Sequence, residues 1–425
     1  MPGRPHPAAL SRGAAALAVV MLLFFTMSMV SLYTQRHLVL EQRTAAHQVR
    51  ASQAHEAAEA GLQWLLARLN AGSADPRCLP SGTPASPRLR DQLLLAGAPG
   101  GRLAPALSAA GLPLAVTCVH EGQAWQCRCP SAGSPPSDED AGDVPGPAFQ
   151  ARLVDAGGRP DVIGVEVVGC TGARASCLDF DGSAAEHEGR ATVSALLAFK
   201  PALATAPAAA LTARGDVLLE GGAPRLVDAE PEGEGWTVHA GGTVQVSSGA
   251  LQGRPGTPAE LTVAQADARL AAASGEQLFL GTFGLSRRAF QSLPTTHTLP
   301  CSPQACGARV VREAASRHPG HALWLQGDLS LEDDQDLGSP ELPLLLVVTG
   351  QVRFGTGSRL HGLLYVQATG WLAEGSGELH GAVLAEGSVS GALHARIARN
   401  AQVLQALRRT HGWFALVPGS WKDLP

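Results

Sequence analysis

Between Ala14 and Leu32 the chain reads AAALAVVMLLFFTMSMVSL, with no charge and hardly a polar group. At roughly 1.5 Å per helical residue, these about nineteen residues span most of a hydrocarbon core about 30 Å thick. A secretory signal has a shorter apolar region and small residues at its cleavage site. Here the exit is Ser28-Met29-Val30-Ser31-Leu32-Tyr33-Thr34, so the segment is expected to stay attached as a membrane anchor. Arg4 and Arg12 lie before it with no acid, which favours the amino end in the cytoplasm, although Arg36 and Arg43 follow on the far side.

The helical pattern runs on past the anchor. From Leu40 to Asn70 there is no proline, and Ala54, Ala58, Leu62, Leu65 and Leu69 recur at three- and four-residue intervals. One continuous helix from about residue 14 to 69 is predicted, half in lipid and half in water, with its outer half needing an apolar partner.

A short basic leader, Gly13, the apolar run and the extension EAAEAGLQWLLARL (Glu56 to Leu69) together resemble the PilX-type type IV pilus assembly proteins. The closing WFALVPGSWKDLP (Trp413 to Pro425) is similar to the tail of that family. The resemblance implies a minor pilin-like subunit in the inner membrane, N-in, with its bulk in the periplasm and then on the assembled pilus. It also implies partners among the other minor pilins and pilus assembly proteins; a contribution to adhesion on a host or abiotic surface is expected from the elongated C-terminal part instead, and a membrane-anchored surface-binding protein is a rival reading. Candidate leader cleavage lies between Gly13 and Ala14. The implied anchoring and helix-packing residues are Val20, Leu23, Phe24, Phe25, Glu56, Glu59, Leu62 and Leu65. Main pilins carry a glutamate five residues after the cut, and here that position is Ala18. Its absence suits a role in starting or capping the fibre, and it is shared by the K-type minor pseudopilin of type II secretion, the alternative reading.

The even set of eight cysteines lies wholly beyond the anchor, on the side where disulfides persist. Cys170 with Cys177 and Cys301 with Cys306 bracket short loops that can close on themselves. A hairpin around Glu121-Gly122 sets Cys118 opposite Cys127, which leaves Cys78 for Cys129 as one of the three connectivities open to these four. Neither Cys-x-x-Cys pairs nor a Cys/His set at zinc spacing is present.

Between residues 149 and 199, AFQARLV, DVIGVEVVGC and ATVSALLAF read as three strands of a small antiparallel sheet. Further on, LLLVVTGQVRFGTGSRLHG (Leu344 to Gly362) and LLYVQATGWLAEGSGELHG (Leu363 to Gly381) share a length of nineteen residues, their Leu-Leu start and their Leu-His-Gly end. Ala382 to Asn400 continues the pattern, with Leu393-His394. That period is the mark of stacked β coils, with 213–223, 235–251 and 322–334 as less regular turns of the same stack. The fold class expected is α+β: a long transmembrane and amphipathic helix on a small antiparallel, pilin-like β domain, then a right-handed β-solenoid-like domain. The boundaries expected are a leader at 1–13, the transmembrane helix at 14–33, its periplasmic extension at 34–70 and the disulfide-containing domain at 71–200. A Pro/Ala linker at 201–210, the solenoid at 211–400 and a tail at 401–425 follow. A helical insert at about 256–320 is read from 259–273 and 282–293.

Chemistry is not favoured. The net charge of −5 and the lack of a basic run argue against nucleic acid, and only two lysines, Lys200 and Lys422, are available to a phosphate site. Glu374, Glu378 and Glu386 are spread out, and His361 and His380 read as a surface ladder rather than a catalytic pair. No cofactor is expected. Calcium at Glu332, Asp333, Asp334 and Asp336 is the weaker alternative to a solvated turn, because the spacing is not that of an EF-hand. Tyr365 and Trp371 are the aromatics a surface-contact role would use, against the ordinary reading of such rings as core.

Overall fold

The structure is a computed structural model. It describes residues 12–81, 86–95, 102–130, 145–184, 188–220, 225–230, 235–331, 334–368, 376–392 and 394–424.

Helix α1 (Arg12–Leu69) is continuous over 58 residues, a rod about 87 Å long at ~1.5 Å per residue. No described residue from 16 to 53 is buried, whereas Ala54, Ala57, Ala58, Leu62, Leu65 and Leu69 are. That stripe lies on an antiparallel sheet built from β1 (Ala115–Glu121), β2 (Ala124–Arg128), β3 (Pro145–Asp155), β4 (Val162–Gly172) and β5 (Arg190–Lys200), in the order β2-β1-β3-β4-β5. Alternate residues face the helix, as a pleated strand dictates: Phe149, Ala151 and Leu153 on β3, Val165 and Val167 on β4, Val193, Ala195 and Leu197 on β5. On the opposite face Arg152 grips Glu166 at 2.7 Å.

Two strands that were expected to be tail complete this sheet. Trp413–Leu416 and Lys422–Leu424 both pair antiparallel with β5, and Trp413 sits directly opposite Lys200. The chain therefore leaves the sheet at Lys200 and returns to the same place at Trp413, so residues 201–412 form an excursion from one hairpin.

In that excursion short strands pair in parallel, coil upon coil. Leu323, Leu346, Leu364, Val383, Leu211, Val238 and Val263 follow one another as Cα partners across seven strands. Arg359–Val366 lies on Glu378–Ala385 at the nineteen-residue step. The preceding pair is offset by one residue from the sequence alignment, with Leu345 rather than Leu344 opposite Leu363. A slip of one would turn every side chain to the wrong face, so side-chain packing overrules the repeat. The third repeat also departs from expectation: Ala398, not His394, continues the row of His380.

Spatial order differs from chain order. The strand Ala209–Ala213 stacks on Glu378–Ala385, and the coils it begins run outward to Val263–Ala264. The chain then crosses to the far end, where Thr296–Gly307 starts the coils that stack back toward Ala209–Ala213. Inward side chains, Leu211, Val217, Leu346, Leu360, Leu364 and Ile397 among them, make one core. Outward ones, Trp324, Leu345, Val347, Tyr365 and Leu384, are covered by Phe279, Phe283 and Phe290 and by Leu404 and Leu407. Burial on both faces explains the unbroken LLLVV of Leu344–Val348.

Three expectations are corrected here. The stretch 201–210 is no linker, because Ala202 and Leu203 are buried and Ala209–Ala213 is a fully buried strand. The stretch 259–273 is not one helix but a short 3-10 turn, a two-residue strand and the helix Ala268–Ala272, started by Asp267 accepting from the amides of Arg269 and Leu270. In place of a helix over 282–293 stand Gly275–Phe283 and Arg287–Gln291. The first opens on a Ser274/Gln277 capping box and closes on Gly284 in the left-handed region, local signals that decide its ends.

Candidate functional site: the apolar helix and its seat

The site is α1 itself, exposed and apolar in its first half and seated in its second. Val20, Leu23, Phe24 and Phe25 are 54 to 74 % exposed; none of the described residues covers them, and they call for an apolar medium from outside. This helix is long and apolar enough to cross a membrane. Gly13 and Ala14 fall in its first turns. Ala18 is exposed, and no carboxylate occurs from Gly13 to Leu40.

The seat is tight because two glycines permit it. A Cβ at Gly61 would stand 2.7 Å from Phe149 and Val167, and one at Gly169 would collide with the Ala54 carbonyl oxygen and the Ala58 amide nitrogen. Trp64 packs on Phe149 at 5.9 Å between ring centroids, and Trp125 meets the same ring at 4.7 Å. The Arg68 guanidinium lies 5.6 Å over Trp64, and burial there lowers its pKa, against the pull of Asp75.

Of the residues expected in helix packing, Leu62 and Leu65 are in the seat. Glu56 and Glu59 are not: both are exposed, with Ser52 donating to Glu56 at 3.3 Å and His55 beside Glu59 at 3.6 Å. Their place on the helix face turned from the sheet is the physical reason.

Sequence reasoning missed Asn70. Its buried amide donates to the Phe414 carbonyl at 2.9 Å and accepts from the Phe414 N–H at 2.7 Å, tying the end of α1 to the returning strand. The Trp421 ring also meets His55 edge-on at 5.9 Å. An asparagine directly after the last stripe leucine was the available signal, but nothing local names its partner.

The structure pairs Cys78 with Cys129, Cys118 with Cys127, Cys170 with Cys177 and Cys301 with Cys306. Three of these bridges staple the sheet that seats the helix and its flanking loops.

Candidate chemistry is scattered. Glu386 is held by Arg287 at 2.6 Å beside Tyr365; burial raises its pKa, with the tyrosine hydrogen bond and Arg287 opposing. Tyr365 is fully buried, so it is core and not a contact aromatic. His361 and His380 stack at 4.9 Å, and burial, then His380, lowers the pKa of His361. Glu378 pairs with His380 at 3.1 Å. Trp371, Glu374, Glu332 and Asp333 lie outside the described residues, and Asp336 stands 3.9 Å from Arg359. Among the described residues no group of three or more His, Cys, Asp or Glu side chains is arranged to hold a metal ion.

Residues 12–63 match the model of the PilX N-terminal family. Through this segment the chain is similar to the PilX-type, pilin-like proteins. The match ends within the seated stripe, so it covers the rod and most of its contact with the sheet but not the excursion. No curated protein matches the chain. The competence-associated pilin ComZ from Thermus thermophilus aligns at 11 % identity over 88 % of this chain and 97 % of its own, with a TM-score of 0.20, too low to equate the two folds. A pilin-like segment fits a structural rather than an enzymatic role.

Proposed function

We propose that this chain is a minor pilin-like subunit of the inner membrane, N-in, that helps to start or cap a type IV pilus, with residues 201–412 carried as a right-handed β-solenoid at the tip. The observation that carries this reading is the two-part rod: an exposed apolar half that needs like rods or lipid, continuous with a half already seated on its own sheet. Parallel pairing of strand upon strand, from Ala322–Leu331 through to Val263–Ala264, supports the solenoid. A part of that size, projecting from one hairpin, is hard to repeat around every subunit of a thin fibre, which favours the tip. The missing carboxylate at Ala18 points the same way.

Because Trp413 lies opposite Lys200, the informative deletion removes 201–412 and joins the strands by an Asn-Gly turn, keeping the returning strands. Piliation that persists with attachment lost assigns adhesion to the excursion; attachment that survives removes that assignment. The Ala18 feature is shared with the K-type pseudopilin, so a secretion assay runs beside electron microscopy of pili. Normal pili with failed secretion would replace the pilus reading by the secretion one.

A further inference from the structure

Where the excursion meets the helix-bearing sheet, cationic side chains outnumber acidic ones among the described residues. Arg88 and Arg90, in the segment after α1, are buried and point at the end of the helix Ala401–Thr410. Arg88 donates to the Thr410 carbonyl at 2.7 Å; Arg90 donates to Gly412 at 2.7 Å, to Arg409 at 3.4 Å and to Thr410. These carbonyls at and just past a helix C-terminus are natural acceptors for guanidinium groups. Asp91 is the acid at the junction, and Arg88 holds it at 2.7 Å.

Four imidazoles fill the remaining space. His297 and His318 stack at 4.1 Å with planes 22° apart, and His318 lies 5.4 Å from His321. His411 is buried, with its Nδ1 2.9 Å from the Thr410 hydroxyl. The Nε2 atoms of His321 and His411 are buried with no hydrogen-bond partner among the described residues.

We propose that this junction is an acid-sensitive latch: neutral imidazoles let the two buried guanidiniums clasp the carbonyls of 409–412, and protonation of His321 and His411 drives the excursion off the sheet.

The charges acting on His321 are His318, His297, Arg88 and Arg90; those acting on His411 are Arg88, Arg90 and His321. All are positive when protonated. Arg317 adds to His297 on His318, and Asp91 opposes Arg88 on Arg90. Burial first and these cations second bring His321 down to about 4 and, against an opposing hydrogen bond with the Leu407 backbone, His411 to about 3; burial also lowers His318. A histidine lowered from its ordinary 6.5 on folding favours the closed junction fully above about pH 6.5. That contribution is lost as pH falls from there toward the folded values.

The test is hydrogen exchange on the full chain in detergent micelles, as protection factors normalised to the intrinsic rate at each pH. Between about pH 8 and pH 5 the segments 317–321 and 407–414 should lose at least about tenfold protection while 344–366 keeps theirs. Equal protection at both values overturns the latch. The double variant His321→Gln, His411→Gln should lose most of the pH dependence of protection, His318 accounting for the remainder; an undiminished dependence overturns it. Should that variant fail to fold, histidine titration by NMR on the unaltered chain decides: values below about 5 for His321 and His411 support the latch, and ordinary values near 6.5 refute it.

Discussion

The helix-bearing sheet and the parallel stack solve the same problem with opposite means. In the sheet each strand hides alternate residues under one helix, and the connecting chain is long, Pro-rich and stapled by three disulfides. In the stack each coil covers the next, short helices cover the outward face, and one disulfide suffices, on the end strand Thr296–Gly307. A single layer under one rod needs covalent help because it buries little per residue; repetition builds a core that grows with each coil. The difference also separates roles, since the sheet carries the rod on which the proposed membrane and filament contacts depend.

The sharpest way to break the comparison is Gly169→Val, which forces the helix from its seat and should cost about 4 kcal/mol or more. Exchange protection should collapse in β4 and β5 and persist in 344–366; joint collapse would make the two regions one cooperative unit. Next is the bridge order. Removing Cys78–Cys129, 51 apart in the chain, should lower stability by about 4 kcal/mol, and removing Cys301–Cys306, five apart, by about 2, by chain-entropy reasoning. Denaturant midpoints of the two double-serine variants give the ranking, and a reversal would show that the stack, not the sheet, leans on its staple.

Leu364→Ala opens a void in the inward column of the stack and should cost about 3 kcal/mol while leaving the seat intact. Val20→Arg puts a charge at mid-span, about 3 kcal/mol against insertion on a translocon scale, with neither folded region touched. Membrane fractionation and counts of pili should both fall; unchanged pili would count against the anchor. Asn70→Ala should have the smallest effect, about 1–3 kcal/mol, by leaving the Phe414 amide and carbonyl buried and unpaired. A calorimetric scan would show whether it loosens the returning strand alone.

Much of the fold was legible where the information is local. The rod follows from an uninterrupted apolar run and a proline-free stripe, the β1-β2 hairpin from Glu121-Gly122 between Cys118 and Cys127, and the parallel step from the Leu-His-Gly repeat. What stayed hidden depends on partners far along the chain. Asn70 looks like an ordinary helix end until Phe414 arrives beside it, and Arg88 and Arg90 look like surface arginines until the carbonyls of 409–412 turn toward them. Glu56 and Glu59 were grouped with the packing residues, yet they face away from the sheet, because a helix has a seated side that spacing alone does not label.

The amino-acid sequence by itself determined the greasy rod, the apolar stripe on its far half and the nineteen-residue step from Arg359–Val366 to Glu378–Ala385, since each depends on residues close to one another in the chain. Only the tertiary structure decided that the coils beginning at Ala209 stack beyond those that follow them in the chain, and that the last strands return to β5. Those arrangements are fixed by which buried faces fit at long range, and hydrophobic burial carries no address along the chain.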